Sequence, residues 1–347
     1  IMPSLVGSEM CIRDRDAGDI VAIAGLDDIY VGETICKEGL EEALPLIKVS
    51  EPTVQMNFGT NTSPFAGKEG QFVTGRKIEE RLFRETQRDV SLRINRVDNK
   101  EEWIVSGRGE LHLSILIENL RREGFEFQVS RPRVILKEID GVINEPYEYV
   151  QVDVPDEYIG SAIEMFGNRR GNLEGMNSKD GQTRLIYTIP SKGLIGFMTD
   201  FLTATHGYGI INHTFLEYRP VQPDVFMGRK LGVLVSINQG MATTYACGGV
   251  EDRGELLIEP GIMVYEGMIV GICNREEDLA VNITREKQMT NQRSATKDST
   301  TVLKKPRVFS LENYLSFIDE DELVEVTPNS IRLRKMILDL SLIHISE

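Results

Sequence analysis

The feature of this chain that most constrains its fold is a hydrophobic pattern that occurs twice, over residues 46–131 and again over residues 132–218. Within each stretch, runs that alternate apolar and polar residues indicate half-buried strands, and runs with apolar residues every three or four positions indicate helices. Both stretches give the order strand, helix, strand, strand, helix, strand. The repetition predicts two split β-α-β units in tandem, each leaving one sheet face uncovered by helices.

The first unit contains two predicted helices, over residues 75–89 and 109–122. Three apolar residues are placed on one side of the first helix, namely Ile78, Leu82 and Phe83. The second helix has apolar residues at helical spacing, namely Leu113, Leu116, Ile117 and Leu120. Gly124 lies where a glycine commonly ends a helix, and the strand that follows it alternates cleanly.

The second unit repeats this order with different residues. A first strand over residues 147–154 alternates, and a helix follows it. The apolar residues of that helix are Ile159, Ala162, Ile163 and Phe166. A second helix is predicted over residues 193–205, with Ile195, Met198 and Leu202 directed inward, before a final strand over residues 208–215.

These patterns place the chain in the α+β class, with tandem ferredoxin-like (split βαβ) domains at its centre. Residues 16–45 resemble the last strands of a β-barrel, and residues 219–339 predict a β-rich carboxy-terminal domain with a helix over residues 311–317 and one long polar loop. Residues 1–15 and 340–347 match neither neighbouring pattern. We expect these two ends to be non-native, adapter-like sequence, so that both native termini are missing.

A phosphate-binding loop is missing from the sequence. Such a loop needs G-x-x-x-x-G-K-[ST], because backbone amides and a hydroxyl must surround the phosphates and Mg²⁺. Residues 62–69 come nearest but have Thr at the first glycine and Glu at the last position; residues 99–102 (N-K-E-E) end in Glu where guanine-reading N-K-x-D has Asp. We therefore predict no nucleotide or cofactor site, and we expect the chain alone to be inactive as a GTPase.

Neither the cysteines nor the histidines form a catalytic or metal-binding pattern. The four cysteines are scattered without a C-x-x-C pair, which disfavours a zinc site or disulfide framework and is typical of a reducing cytoplasm. The histidines lie at no recognisable spacing from a cysteine or carboxylate and are better explained as structural residues: His112, His206, His213 and His344. We predict no catalytic residue and no metal site.

The charge of the chain restricts how it could bind nucleic acid. The net charge is −15, so RNA contact must come from a local basic patch and not from the overall field. Residues 285–307 form such a patch, with seven basic and two acidic residues among many amides and hydroxyls. Within it the candidate RNA-binding residues are Lys287, Asn291, Arg293, Lys297, Lys304 and Lys305. The alternative is a solvated loop without a ligand.

Two shorter segments are further candidates for anion contact. Arg169 and Arg170, in N-R-R-G, could contact a phosphate, although an exposed turn explains them equally well. The segment 106–112 (S-G-R-G-E-L-H) could present backbone amides to an anion at a helix start, or could be only a tight strand-to-helix turn. No run of apolar residues is long enough to suggest a membrane segment.

Five segments of the chain match one known protein family: residues 18–25 (G-D-I-V-A-I-A-G), 51–70, 103–126, 190–197 (P-S-K-G-L-I-G-F) and 317–335. On these segments the chain resembles the TypA/BipA family of translational GTPases, over about residues 16–339. The motif S-G-R-G-E-L-H-L within them also suits other elongation-factor relatives. The ending T-P-N-S-I-R-L-R-K over residues 327–335 narrows the resemblance to TypA/BipA.

The resemblance implies an amino-terminal GTPase domain, which would bind GTP and Mg²⁺, followed by a barrel, two elongation-factor-G-like domains and a family-specific domain. Members bind the ribosome near the A site and are linked to large-subunit assembly and to growth under stress or cold. The implied partners are ribosomal RNA of both subunits and A-site tRNA, which the polar loop approaches through Lys287, Asn291 and Arg293. Around residues 292–296 the sequence departs from the family pattern, so Lys297 rests on local charge alone.

Two other functions remain as alternatives. One is a general translation factor of the elongation-factor-G or LepA type, against which the carboxy-terminal motif argues. The other is a metabolic enzyme or a non-enzymatic ligand sensor built on tandem ferredoxin-like domains, for which the sequence supplies no catalytic residues. We expect a cytoplasmic monomer that does not contact membranes.

Overall fold

A computed structural model describes residues 16–23, 25, 29, 31–39, 42–45, 51–222, 229–286 and 303–339. It separates into two compact units, Ile1–Ile47 and Lys48–Glu347. The described residues of the predicted barrel segment form neither helix nor strand, so the barrel end stays a prediction. The two ends interpreted as non-native lie outside the described residues.

The first split unit follows the predicted element order. Its elements are β1 (Val54–Gly59), α1 (Gly75–Thr86), β2 (Arg93–Arg96), β3 (Glu102–Gly107), α2 (Glu110–Arg122) and β4 (Phe127–Ser130), followed by the short β5 (Arg133–Val134). The strands pair antiparallel in the order β4-β1-β3-β2. Gly124 ends α2 with a positive φ of 93°, which a residue with a side chain rarely adopts.

The second split unit repeats both the element order and the strand order. Its elements are β6 (Lys137–Ile139), β7 (Val142–Pro155), α3 (Ile159–Asn168), β8 (Asn172–Lys179), β9 (Gln182–Pro190), α4 (Phe197–Ala204) and β10 (Ile210–Pro220). Short 3-10 turns, Asp156–Tyr158 and Ser191–Leu194, precede the two helices. The antiparallel sheet runs β10-β7-β9-β8, and β6 pairs with the start of β7.

The carboxy-terminal domain is β-rich and carries two described helices. Its elements are β11 (Val233–Ser236), β12 (Gly240–Met241), α5 (Thr244–Val250), β13 (Gly254–Leu256), β14 (Met263–Val264), β15 (Met268–Cys273), β16 (Leu279–Val281), α6 (Leu311–Phe317), β17 (Glu322–Val326) and β18 (Ile331–Lys335). The side chains of Thr243 and Ser310 accept hydrogen bonds from the amides of Ala246 and Asn313, which caps α5 and α6. The predicted helix over residues 311–317 is confirmed.

The sheets of the first split unit and the carboxy-terminal domain are continuous. Strand β17 pairs antiparallel with β4, with Leu323 opposite Ser130 and Val326 opposite Phe127. The described sheet therefore runs β16-β11-β15-β18-β17-β4-β1-β3-β2, with β13 and β5 attached at its sides. One hydrophobic core follows it from α1 and α2 to α6. The chain is accordingly a mixed α+β protein with several sheets.

Buried polar groups hold the β4–β17 junction together. The carboxylate of Glu325 is completely buried and accepts hydrogen bonds from Asn61 (2.9 Å), Ser63 (2.9 Å), Tyr265 (2.7 Å) and Arg332 (3.1 Å). These four partners come from the loop after β1 and from the carboxy-terminal domain. The sheet face opposite the helices is therefore covered at β4, and it is not open for a partner there.

Three predicted helix faces need correction. In α1, Phe83 is 43% exposed, and Arg81 takes the inner position because its guanidinium bonds Glu85 and Glu123, each at 2.6 Å. In α3, Ile163 is exposed while Ala162 and Phe166 are buried.

The inner face of α4 is formed by Phe197 and Phe201, not by Met198 and Leu202. The continuous helix predicted over residues 193–205 is interrupted, because Gly196 adopts a φ of +68° between the 3-10 turn and α4. This break changes which residues of the helix face the core. Among the described residues no helix is long and apolar enough to cross a membrane.

Candidate nucleic-acid interface

Most of the predicted RNA-binding loop falls in the part of the chain that the structure does not describe. Lys287, Asn291, Arg293 and Lys297 lie outside the described residues. Lys304 and Lys305 are described, and both are exposed beside Glu251 and Glu255. The amide of Lys304 donates a 2.7 Å hydrogen bond to the Glu251 carboxylate, which fixes the backbone where the segment rejoins the domain. The role of this loop in RNA binding stays a prediction.

Arg169 and Arg170, the two neighbouring arginines predicted to contact phosphate, have different surroundings. The turn after α3 is closed by a 2.7 Å bond from the amide of Gly171 to the carbonyl of Phe166, with Arg170 at a φ of +61°. The Arg170 guanidinium donates to Gln222 at 3.2 Å. Arg169 instead donates to the carbonyl of Ile195 at 3.1 Å and lines a groove.

This groove, here called the basic groove, has a volume of about 550 Å³ and lies where the first split unit, the second split unit and the carboxy-terminal domain meet. Six basic side chains line it: Arg131, Arg133, Arg169, Lys192, Arg229 and Arg307. The acidic residues of its lining are Asp200 and Glu320. In a chain of net charge −15, this concentration of cations favours an anionic ligand.

Three of the six cations bind carboxylates of the fold closely. The pairs are Arg229 with Glu322 (2.6 Å), Lys192 with Glu145 (2.8 Å) and Arg131 with Asp319 (3.1 Å). Burial, the largest single effect, lowers the pKa of Arg229, but the hydrogen bonds to Glu322 and the negative charges of Glu322, Asp278 and Asp319 together raise it, so the guanidinium stays charged. These three cations hold the parts of the molecule together and are not available to a ligand.

The other three cations form only loose ion pairs, although Arg169 is also held by its hydrogen bond to the carbonyl of Ile195. The pairs are Arg133 with Glu320 (3.9 Å), Arg169 with Asp200 (3.8 Å) and Arg307 with Glu255 (3.5 Å). The side chains of Arg133 and Arg307 are 56% and 55% exposed. Exposed ion pairs of this kind contribute at most about 1 kcal/mol, so a phosphate could replace the carboxylate at little cost.

Aromatic side chains form part of the groove wall. The Arg307 guanidinium lies 5.3 Å from the ring centroid of Phe309, and that of Arg229 lies 5.2 Å from Phe317. The two phenylalanine rings are themselves 5.2 Å apart. Arginines stacked on aromatic rings, beside exposed guanidinium groups, are suited to phosphate contact and to stacking with an unpaired base.

Two histidines are paired with carboxylates that are distant in the sequence, so their spacing did not reveal these partners. His112 lies 2.7 Å from Asp89, and His213 is hydrogen-bonded to Glu148. The bond to Glu148 raises the pKa of His213, although burial opposes this. The Asp89 carboxylate also accepts hydrogen bonds from the amide and the hydroxyl of Ser91, so the hydroxyl contacts the carboxylate and not the imidazole. The structural role of both histidines stays a prediction.

One group of described carboxylates is close enough together to hold a metal ion: Asp278, Asp321 and Glu322. The ammonium of Lys335 lies among them, at 2.5 Å from Asp278, 2.7 Å from Asp321 and 2.9 Å from Glu322. Lys335 and Arg229, which pairs with Glu322 and Asp278, thus offset most of the negative charge of the three carboxylates. The cluster is better explained as an ion pair that ties β18 to the turn before β17.

Sequence reasoning missed Arg131, Arg133, Lys192 and Arg229, and it assigned Arg307 to the patch at residues 285–307 and not to a site with them. They are scattered along the chain and meet only through the fold, so no spacing rule could have joined them. The one local signal is the segment R-P-R at residues 131–133, which directly follows a strand.

Family models match three successive parts of the chain. Residues 73–131 match elongation factor G domain III, and residues 142–228 match the elongation factor G carboxy-terminus. Residues 231–340 match the TypA/BipA C-terminal domain. The third match is specific to one family, and it includes the segment of the predicted RNA-binding loop.

Curated relatives match along almost the whole chain. The large ribosomal subunit assembly factor BipA of Bacillus subtilis (strain 168) is 57% identical over 329 residues, which cover 94% of this chain and 54% of the relative. The protein of the same name from Synechocystis is 51% identical over 326 residues, which cover 94% and 54%. The chain thus spans about half the length of the curated relatives it matches.

Among solved structures, a crystal structure of a protein from Thermus thermophilus is similar over 52% of this chain and 42% of that chain, with 16% identity and a TM-score of 0.34. That similarity is too low to bear on the fold. The curated relatives and the family-specific domain are decisive instead. On the match of residues 231–340 and the identity of 57% along 94% of its length, this chain belongs to the TypA/BipA family.

Proposed function

We propose that this chain is the carboxy-terminal, ribosome-binding portion of a translational GTPase that acts in assembly of the large ribosomal subunit. The observation that carries the proposal is the basic groove, a concentration of cations in a chain whose net charge is −15. Ribosomal RNA is the polyanion that a protein related to ribosome assembly factors would bind. The names of the curated relatives support the same partner.

The basic groove can bind RNA without reading its sequence. Arg133 and Arg307 present exposed guanidinium groups, which donate two parallel hydrogen bonds to a phosphate. Phe309 can stack on an unpaired base. We further propose that Lys287, Asn291, Arg293 and Lys297, in the loop that begins beyond Glu286, approach ribosomal RNA or A-site tRNA.

The finer fold is part of the proposal. We propose that both split units are ferredoxin-like, supported by the same strand order in each, β4-β1-β3-β2 and β10-β7-β9-β8. Residues 16–45 would be the end of a β-barrel, and GTP and Mg²⁺ would bind a preceding domain. The protein would act as a cytoplasmic monomer, in growth under stress or cold. A GTP hydrolysis assay on the purified chain should show no activity above background.

The test is co-sedimentation of the 347-residue chain with purified ribosomes across a salt series. The parent is compared with a variant carrying Arg133→Glu and Arg307→Glu. We expect the variant to bind at least about tenfold more weakly. The slope of the logarithm of the binding constant against the logarithm of the salt concentration should become less steep by about two, because two phosphate contacts are removed. A matched control carries Arg76→Glu and Lys77→Glu on the exposed side of α1, which changes the net charge equally.

Each outcome has a definite meaning. If the groove variant and the control pellet like the parent, the basic groove does not bind RNA. A third variant with Lys287→Glu, Arg293→Glu and Lys297→Glu then tests whether the polar loop carries the contact instead. If the parent itself fails to pellet at low salt, ribosome binding by this portion of the protein is wrong.

A further inference from the structure

A second cavity, of about 690 Å³, lies between the start of α2 and helix α4. Its size is within the range of pockets that hold small molecules. Apolar side chains dominate the lining, among them Leu111, Ile115, Met198, Leu202 and Ile211. The first four are also partly exposed, so the cavity opens to solvent through an apolar mouth. The cavity shares Ile195 and Gly196 with the basic groove, but none of the six basic side chains of the groove lines it.

Two polar groups of this cavity have unused hydrogen-bonding capacity within the described part of the chain. Glu110, the first residue of α2, accepts a 2.7 Å hydrogen bond from the amide of Gly196 with its Oε2 atom. Its Oε1 atom is buried without a partner among the described residues. The same is true of the hydroxyl of Ser191, a residue only 2% exposed. A buried acceptor without a donor has lost its hydrogen bonds to water and gained none in return, so such groups point to a missing ligand.

The charges that surround Glu110 favour a positive ligand. Glu312 of α6 also lines the cavity. Two cations oppose it: Arg108, which lines the cavity and whose guanidinium lies 4.0 Å from Asp89, and Arg169, whose effect on the pKa of Glu110 is smaller than that of Glu312. The Glu148 and His213 side chains, further along the wall, pair with each other. Burial, with a smaller contribution from Glu312, raises the pKa of Glu110 to about 7. The carboxylate is therefore poorly compensated when it is ionised.

We propose that this cavity binds a small amphipathic cation, an amine with an apolar body whose ammonium group donates a hydrogen bond to Oε1 of Glu110. The apolar body of the amine would lie against Leu111, Ile115 and Met198, and Ser191 would offer a second acceptor. The ammonium supplies the charge and the hydrogen bond that Glu110 lacks, and the hydrocarbon part removes apolar surface at the mouth from water. The proposal is independent of ribosome binding.

The test uses phenethylamine as the probe and phenethyl alcohol as its neutral counterpart of similar shape. Amide chemical shifts of the ¹⁵N-labelled 347-residue chain are followed at neutral pH, with Gly196 and Glu110 as reporters. We expect saturable shifts at both reporters, and binding of the amine at least tenfold tighter than binding of the alcohol. Glu110→Gln should reduce the affinity for the amine to that for the alcohol. The isosteric substitution retains an acceptor for the amide of Gly196.

Two more variants complete the experiment. Ile115→Trp, which fills the mouth, should weaken binding of both compounds. Glu164→Gln, on the exposed side of α3, removes the same charge outside the cavity and should bind the amine like the parent. The proposal is overturned if the amine and the alcohol bind equally, if Glu110→Gln leaves the preference intact, or if the amine does not shift the reporters. Equal binding would instead favour a neutral compound, and a preference that survives Glu110→Gln would place the ammonium at another carboxylate such as Glu312. Unshifted reporters would mean that the cavity does not hold a small amine.

Discussion

The two split units share one element order, yet their cores are completed in different ways. In the first unit the core continues through the β4–β17 junction, so that Val324, Leu333 and Leu315 of the carboxy-terminal domain belong to it. In the second unit the fully buried core residues all lie between Val150 and Phe201. The difference follows from the last strand, because β4 is paired on both sides while β10 stays at the edge of its sheet. The same supersecondary unit is thus part of a larger sheet in one case and self-contained in the other.

The strongest test of this difference is Glu325→Ala at the junction. The change leaves Tyr265 and Arg332 without their buried acceptor, so we expect a loss of about 4 kcal/mol in the free energy of unfolding. Hydrogen exchange should show reduced protection in β17, β4 and β1 together, while β7 and β9 keep theirs.

The control for this variant is Glu277→Ala, which removes an exposed carboxylate of the same domain and should change the free energy by less than about 0.5 kcal/mol. Loss of protection in β17 alone, with β1 unchanged, would contradict the idea of a common core. The first split unit would then be as self-contained as the second.

Phe166→Ala provides the reciprocal test in the second unit. The ring of Phe166 stacks on Tyr187 at 4.4 Å and packs on Phe197 at 4.5 Å, at the centre of that core. We expect a loss of about 3 kcal/mol from the cavity that the substitution creates. In hydrogen exchange the lost protection should be confined to β7, β9 and α3. If β1 or β17 also loses protection, the cores of the two units are coupled.

A third prediction concerns Glu110, whose bond to Gly196 links the two units. The pKa of this carboxyl is raised from 4.5 to about 7, so the folded state holds its proton where the unfolded state has lost it. Stability from this group is therefore present at low pH and is lost as pH rises towards neutrality. Because Gln cannot ionise, Glu110→Gln should gain about 2 kcal/mol relative to the parent between about pH 5 and pH 8.

This gain is measured by urea unfolding of both proteins at several pH values. Arg169 and Glu312 act on Glu110 with opposite signs and are the same in both proteins. A difference that does not change with pH would mean that Glu110 ionises normally. The two units would then meet without an electrostatic cost.

The local elements were largely predictable from the sequence, whereas the contacts between distant segments were not. The buried face of α2 and the span of α6 follow from helical spacing, which depends only on near neighbours. The inner face of α4 was mispredicted, because Gly196 adopts a left-handed conformation that periodicity does not reveal. The β4–β17 pairing joins strands nearly 200 residues apart, and no single-sequence pattern specifies it.

The candidate site follows the same rule. The cations at residues 285–307 lie close together in the sequence and were recognised, and the structure describes four of the seven. The basic groove draws its side chains from three parts of the molecule, so only the fold identifies it. Glu110 lies in the segment 106–112, which was considered only for anion contact through its backbone amides, and Ser191 was not singled out, since nothing in a sequence shows that a polar atom will be buried without a partner.

The smallest effect is expected where the prediction of the α1 face was wrong. Phe83 lies five residues after Ile78, which places it off the buried stripe, and it is 43% exposed. Phe83→Ala should therefore change the free energy of unfolding by less than about 0.5 kcal/mol. Its neighbour Leu82 is fully buried, so Leu82→Ala should lower the free energy of unfolding by about 3 kcal/mol. Thermal and urea unfolding of the two variants distinguishes them. A large loss for Phe83→Ala would mean that an additional surface covers this side of α1, and the helical layer of the first unit would then also be completed from outside, as its sheet is.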